Sequence, residues 1–291
     1  MRYDFIQDHH PQWPVRIMCR ALQVKPSGYY RRQKLKDKPP RREMDRLELI
    51  QQIQEVHQRS DGRYGSPRVH RQLQKQGRRC TRRTVEKLMK QQQIRSKRTR
   101  RFRVRTTDSN HPHPVAPNTL NRQFRQHRQV NTVWLSDITY VPTDEGWLYL
   151  AAVMDLASRK IVGWATADHL RAQLPLAALH QALQQRPRIP GQELLHHSDR
   201  GVQYACGDYK QVLDQHGVGC SMSRTGDCYD NAVMESFFKT FKAELVNHER
   251  YRTRKEAQAS IYPYIELFYN HQRLHSALGY RSPAEYEASR S

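Results

Sequence analysis

Long hydrophobic runs are missing from this 291-residue sequence. No apolar stretch approaches the roughly 18 residues that a membrane-spanning helix needs. The opening MRYDFIQDHHPQWPV has no apolar signal region. These two absences predict a soluble intracellular protein. Cysteine is scarce and scattered: Cys19, Cys80, Cys206, Cys220 and Cys228 form no CxxC pair. That spacing argues against a disulfide framework and against a zinc knuckle, and leaves reduced thiols. Acids are what the first part of the chain lacks most. Residues 1–130 hold 33 Lys+Arg against 10 Asp+Glu, a net of +23, whereas residues 131–291 hold 17 against 18. A region this basic is the electrostatic footprint of a polyanion partner. A merely solvated face is the plainer reading, and it is weakened by the neutral second part with its clustered acids.

The chain in order suggests four segments. Residues 1–40 are read as an N-terminal arm, with a short helix over Val15–Leu22 and a turn at Pro26-Ser-Gly28 before Tyr29 and Tyr30. Packing within the arm is the reading for those tyrosines, with stacking on a DNA base as the alternative. Residues 41–105 are read as a helix-turn-helix domain with a basic extension. Its first helix carries Met44, Leu47, Leu49, Ile50, Ile53 and Val56. A Gly-containing turn follows, then a helix from Ser66-Pro67, and then a third helix capped by Thr81. Arg82, Arg83 and Lys87 fall on the exposed side of that third helix, where they either read base edges or hold phosphates. Arg98, Arg100 and Arg101 belong to the run IRSKRTRRFRVR, a phosphate-tracking segment or wing strand. Residues 106–117, rich in proline and polar side chains, are read as the linker.

Residues 118–287 are read as the catalytic domain. Val133–Val141, Trp147–Met154 and Lys160–Thr166 are expected to form an antiparallel meander, with a hairpin at Asp144-Glu-Gly146. Helices are expected over 172–185, 204–216 and 253–271, with strands ending at Ser198 and spanning Val218–Ser223. That order predicts a mixed sheet covered on both faces. Three acids sit on three separate elements: Asp137 in the first strand, Asp199 after the strand to Ser198, and Glu235 opening an amphipathic helix with Phe238, Phe241 and Leu245 inward. Carboxylates placed so can converge on divalent metal, and two hard cations activate an attacking oxygen and stabilise the leaving one in phosphodiester cleavage. Lys239 and Lys242, at i+4 and i+7 from Glu235, share its helix face and suit DNA phosphate; surface ion pairing is the plainer alternative. Asp155, at a strand end, competes with Asp137 for a place in the site, and Asp144, Asp227 and Asp230 are further acids nearby. His196 and His197 precede Asp199; core packing is the reading for both.

Asp137, Asp199 and Glu235, the last two separated by 35 residues, stand in WLSDITY, HHSDRGVQY and SRTGDCYDNAVMESFFKTFKAEL. With YNHQRLHSALGYRSPAEY, VRIMCRALQVKPSGYY and RYGSPRVHRQL, these stretches resemble the DDE transposases of the IS3 family, specifically their second-frame (OrfB) product, and more distantly retroviral integrases. The resemblance covers nearly the whole chain. It implies an RNase H-like mixed-sheet α/β catalytic core preceded by an all-α helix-turn-helix DNA-binding domain. It implies Asp137, Asp199 and Glu235 as the catalytic metal ligands, Mg2+ as cofactor with Mn2+ as a substitute, and Lys239 and Lys242 at positions that engage DNA ends. The implied partners are double-stranded DNA of element ends and target, further copies of the chain in a homo-oligomer on DNA, and an upstream-frame fusion product; no membrane is involved. The implied setting is the bacterial cytoplasm, at the nucleoid. The implied activity is cleavage at the ends of an insertion sequence and strand transfer of the freed 3′-OH. A DNA-end-binding regulator and a structure-specific nuclease are the competing readings. Joined products separate the first activity from the nuclease, and any cleavage separates both from the regulator.

Overall fold

The computed structural model describes residues 1–37, 40–97, 115–124, 126–127, 129–187, 191–224 and 228–290. The chain divides into two compact units, Met1–Ser96 and Lys97–Ser291. Of the residues expected to meet DNA, Arg98, Arg100 and Arg101 lie outside the described residues, as do 106–114 of the expected linker and Asp227.

The first unit is helical. Helices α1 (Arg2–His9), α2 (Val15–Ala21) and α3 (Pro26–Asp37) close around Ile6, Met18, Cys19 and Tyr29. The segment read as an arm with a turn at Pro26 is therefore a small helical cluster. Pro26 begins a helix because a first-turn N–H needs no intrahelical partner. Gly28 follows because a Cβ there would run into the ring and hydroxyl of Tyr3. Tyr29 packs inward and donates to Gln7 Oε1 at 3.0 Å, whereas Tyr30 is exposed.

Helices α4 (Arg41–Arg59), α5 (Ser66–Lys75) and α6 (Arg82–Gln91) pack pairwise around Leu49, Ile53, Val56, Val69, Leu73, Val85, Leu88 and Met89. The inward stripe of α4 is narrower than its apolar pattern, for Met44 and Leu47 face solvent. The buried Ser60 hydroxyl donates to His57 O and accepts from Tyr64 N, fixing the turn between α4 and α5. Thr81 caps α6 by accepting from Thr84 N at 3.2 Å.

In the second unit, β1 (Val133–Thr143), β2 (Gly146–Asp155), β3 (Ile161–Ala167), β4 (Leu195–Ser198) and β5 (Gly219–Met222) form one sheet in the order β3-β2-β1-β4-β5. The β3-β2-β1 pairs are antiparallel, and the β1-β4 and β4-β5 pairs are parallel. Helix α7 (Gln173–Gln185) lies so close to β3 that a Cβ on Gly163 would collide with Ala178 O and Ala182. Tyr149, Ala151 and Val153 of β2 pack into the cluster that α7 completes. The alternate residues Leu148, Leu150, Ala152 and Met154 are equally buried, so the other face is covered as well.

The segment 204–216 is two helices, α8 (Val202–Ala205) and α9 (Gly207–Gln215), because Cys206 is extended at ψ 152°. Helix α10 (Ala232–Glu244) buries Met234, Phe237, Phe238 and Phe241. The expected single helix over 253–271 is instead α11 (Arg254–Tyr262) followed by a π-helical stretch, Pro263–Tyr269. Pro263 carries no N–H to continue the α ladder, and the wider winding turns Tyr264, Ile265, Phe268 and Tyr269 inward. Asn270 then clamps β3, its side chain exchanging hydrogen bonds with both backbone groups of Ile161. The short α12 (Pro283–Ala288) begins with a Ser282/Glu285 capping box. Among the described residues no helix is long and apolar enough to cross a membrane.

Candidate active site

Asp137 sits in β1, the middle strand, which is flanked by β2 and β4. The parallel register pairs Leu135 with His197. Two residues further along each chain come Asp137 and Asp199, so the strand pairing delivers both carboxylates to the same level of the sheet. They line one pocket with Ile138, Thr139, Tyr140, Tyr149, Leu170, Gln203 and Tyr204. Asp137 Oδ1 accepts from the Ile138 amide at 2.8 Å, and Asp199 Oδ1 accepts from the Gly201 amide at 2.9 Å. Gly201 leaves room for that bond, since a Cβ there would stand 3.1 Å from the same Oδ1 and 2.8 Å from Gln203 Oε1.

Burial pushes the Asp137 carboxyl well above its ordinary pKa, and the charges on Asp199 and Glu235 push it further. Such a site is short of positive charge. Glu235 is exposed on the first turn of α10, outside the pocket lining but close enough for its charge to act on Asp137. Partial desolvation raises its own pKa, against the pull of Lys239. Among the described residues no three His, Cys, Asp or Glu side chains stand together as a metal-holding group. The structure thus brings Asp137 and Asp199 into one pocket and leaves Glu235 at its border. Hard oxygen donors that repel one another suit a divalent cation such as Mg2+, which prefers carboxylate and water ligands.

Lys239 is exposed one turn beyond Glu235. The half-buried Lys242 sends its ammonium over the Tyr140 ring, 4.0 Å from the centroid. Burial lowers the Lys242 pKa, and Asp137 counters it. Trp147 meets Tyr140 edge-on at 4.7 Å. On α6, Arg82, Arg83 and Lys87 are all exposed; Arg83, Thr84 and Lys87 line a cleft with Arg42, Arg46, Arg78 and Arg79.

The competing acids have other work. Asp155 is wholly buried, accepting from Ser158 N and Oγ through Oδ1 and from Asn131 N through Oδ2. Asp230 is equally buried and gathers Asn118 Nδ2 at 2.8 Å, Arg122 Nε at 2.7 Å and Arg224 N at 2.9 Å. It anchors the chain where α10 begins. Asp144 pairs at the surface with Arg250. His196 and His197 are both core residues: His196 Nε2 lies 2.7 Å from Ser136 Oγ, and His197 bridges Ser221 and Ser223.

Sequence reasoning missed Tyr140, Tyr204 and Asn231. Asn231 Nδ2 donates to Ser136 O at 3.1 Å, tying the start of α10 to the strand that carries Asp137. Its position four residues before Glu235 was the available signal. Tyr140 lies three residues after Asp137 and Tyr204 five after Asp199, but aromatic residues in a strand and a helix read first as core.

Two family models described as "Integrase core domain" match residues 127–228 and 216–283, and one described as "HTH-like domain" matches residues 44–102. The chain is 43% identical over 269 residues to the insertion element IS600 uncharacterized 31 kDa protein of Shigella sonnei, covering 92% of this chain and 97% of that one. It is 38% identical over 287 residues to transposase InsF for insertion sequence IS3A of Escherichia coli, covering 99% and 98% respectively. Among solved structures, the HTLV-2 integrase catalytic core domain in complex with magnesium aligns at a TM-score of 0.39 and 12% identity, over 54% of this chain and 96% of that one.

Proposed function

This chain belongs to the IS3 family of insertion-sequence transposases, and on that premise we propose that it cuts DNA at the ends of its own element and joins the freed 3′-hydroxyls to a target duplex. It is a polynucleotidyl transferase with an HTH-like helical region followed by an RNase H-like integrase core. The domain limits in this reading are 1–40, 41–105, 106–117 and 118–287.

The assignment of DDE chemistry rests on one observation: the β1–β4 register sets Asp137 and Asp199 side by side in a pocket. Glu235, supplied by α10, is the third carboxylate. These residues would hold Mg2+, with Mn2+ as a substitute, and the bound cations would activate the attacking oxygen and neutralise charge on the phosphate. In the first step a water oxygen attacks phosphorus and the P–O3′ bond breaks; the water's proton ends on the departing oxygen, leaving a 3′-OH and a 5′-phosphate. In the second, the 3′-OH oxygen attacks a target phosphorus, the target P–O3′ bond breaks, and the proton passes to the released target oxygen. Lys239 and Lys242 meet the phosphates beside the reacting one. Arg82, Arg83 and Lys87, with Arg98, Arg100 and Arg101, hold duplex DNA. Two ends need two active sites, so a homo-oligomer assembles on DNA, and its substrate places it at the nucleoid.

A strand-transfer assay with labelled element-end DNA and Mg2+ tests the reading. Wild type yields joined product, and Asp199→Asn and Glu235→Gln each lose about a thousandfold or more in rate with folding and DNA affinity intact. Wild-type rates in Asp199→Asn would overturn the site. Cleavage without joining would identify a nuclease, and tight binding without product from wild type a regulator.

A further inference from the structure

Tyr204 lines the pocket that holds Asp137 and Asp199, and its side chain is 2% exposed. Its ring is fixed by edge-on contact with Tyr209 at 5.2 Å and a tilted contact with His196 at 6.3 Å. Its hydroxyl is buried and has no hydrogen-bond partner among the described residues. The neighbouring polar groups do not supply one: Tyr209 OH and Ser136 Oγ both converge on His196 Nε2, at 3.0 and 2.7 Å. The Gln203 carboxamide, on the same pocket wall, donates to Leu170 O at 3.2 Å. A buried hydroxyl without a partner pays a desolvation penalty, so one retained beside a reaction site calls for an acceptor that arrives from outside.

The charge around it identifies that acceptor. A tyrosine hydroxyl is protonated at neutral pH, so the group is a donor. Two of the lining residues, Asp137 and Asp199, are carboxylates, which repel a phosphodiester. A phosphodiester seated at the two acids presents non-bridging oxygens whose negative charge grows in the transition state, and a hydroxyl donor on the pocket wall stabilises that charge.

We propose that the Tyr204 hydroxyl donates a hydrogen bond to a non-bridging oxygen of the scissile phosphodiester held at Asp137 and Asp199. No atom of Tyr204 is transferred. The proposal rests on the transposase reading above, and it adds a catalytic residue to the carboxylates.

The test is Tyr204→Phe, which removes one oxygen and keeps the ring. Losing an unpartnered buried hydroxyl leaves the melting temperature unchanged or raised, and metal-free affinity for element-end DNA stays within about twofold. Single-turnover cleavage and strand transfer fall about 10- to 100-fold. The distinguishing readout uses end DNA with sulfur replacing either non-bridging oxygen of the scissile phosphate. Sulfur is a weaker acceptor, so one diastereomer slows wild type in a way that Tyr204→Phe no longer shows. Tyr209→Phe is the control: it loses a paired hydroxyl, melts lower, and keeps the wild-type sulfur effect. Full activity in Tyr204→Phe would overturn the proposal. So would a sulfur effect as large in the variant as in wild type, or a rate loss that tracks a lowered melting temperature. Absence of product from wild type would instead overturn the transposase reading, and this assignment with it; the Asp199→Asn control separates the two failures.

Discussion

At the residue scale, the same strand that carries an acid to the pocket also carries two histidines into the core. Burial, with a smaller push from His197, drives the His196 pKa down to about 3. Burial likewise lowers His197 to about 4, despite the opposing pull of Asp230. His196 packs against Ser136, Tyr209 and the ring of Tyr204 and stays neutral. A histidine whose folded pKa lies below its unfolded value near 6.5 stabilises the fold fully above pH 6.5 and loses that contribution as pH falls toward the folded pKa. Denaturant unfolding of the wild-type chain is therefore expected to show stability falling from pH 6.5 downward, by about 2 to 3 kcal/mol at pH 4.5 from His196 alone. A flat profile between pH 7 and pH 5 would show that the histidines protonate freely in the native state. Asp155 illustrates why residue type alone is a weak guide: its carboxylate is wholly occupied by backbone and Ser158 donors, whereas Asp137, on the neighbouring strand, lines the pocket.

At the element scale, α10 carries Glu235 and Lys242, and its far end is anchored. That anchor is a buried ion pair. Glu244 takes two bonds from Arg273, at 2.7 and 2.8 Å, and a third from Tyr264 OH at 3.1 Å. Tyr264 lies in the π-helical stretch, so the change of winding at Pro263 and the end of α10 are parts of one joint. Removing one partner of such a pair strands the other charge in the interior. Glu244→Ala is expected to cost about 3 to 5 kcal/mol in chemical unfolding, whereas a paired exposed acid such as Asp144, changed to alanine, should cost under about 1 kcal/mol. Equal effects from the two changes would mean that the Glu244–Arg273 pair is solvated in solution. The opposite end of α10 is held by Asp230 and Asn231, the former to Asn118, Arg122 and Arg224, the latter to Ser136 O.

At the scale of the whole molecule, charge and chemistry are segregated along the chain. The excess of positive charge lies in residues 1–130, and the pocket carboxylates lie beyond them. Binding to element-end DNA should therefore be dominated by counterion release and weaken steeply with salt. Lys242→Ala should reduce the slope of log affinity against log salt by about 1, as loss of one phosphate contact does, with little change in the preference between DNA sequences. An unchanged slope would place Lys242 off the phosphate backbone and leave its ammonium to Tyr140.

Sequence by itself determined the order of elements, the acids worth considering, and the family. Strand periodicity, turn residues and helix caps are local, so the meander, the helix-turn-helix pattern and the Thr81 cap were all legible. What it could not decide was anything set by contacts between distant residues. It preferred Asp137 to Asp155 only by its place within the first strand and by family resemblance, because the physical difference is whose donors fill the carboxylate. It read 253–271 as one helix, because a π-helical stretch is chosen by what its side chains must reach. It passed over Tyr140 and Tyr204, because a pocket wall and a core wall have the same composition. The register of β1 on β4, which sets Asp137 beside Asp199, exists only once residues 62 apart in sequence pair as neighbouring strands. Only the tertiary structure makes a candidate site of them, since carboxylates acquire their chemistry from the burial and charge that the fold places around them.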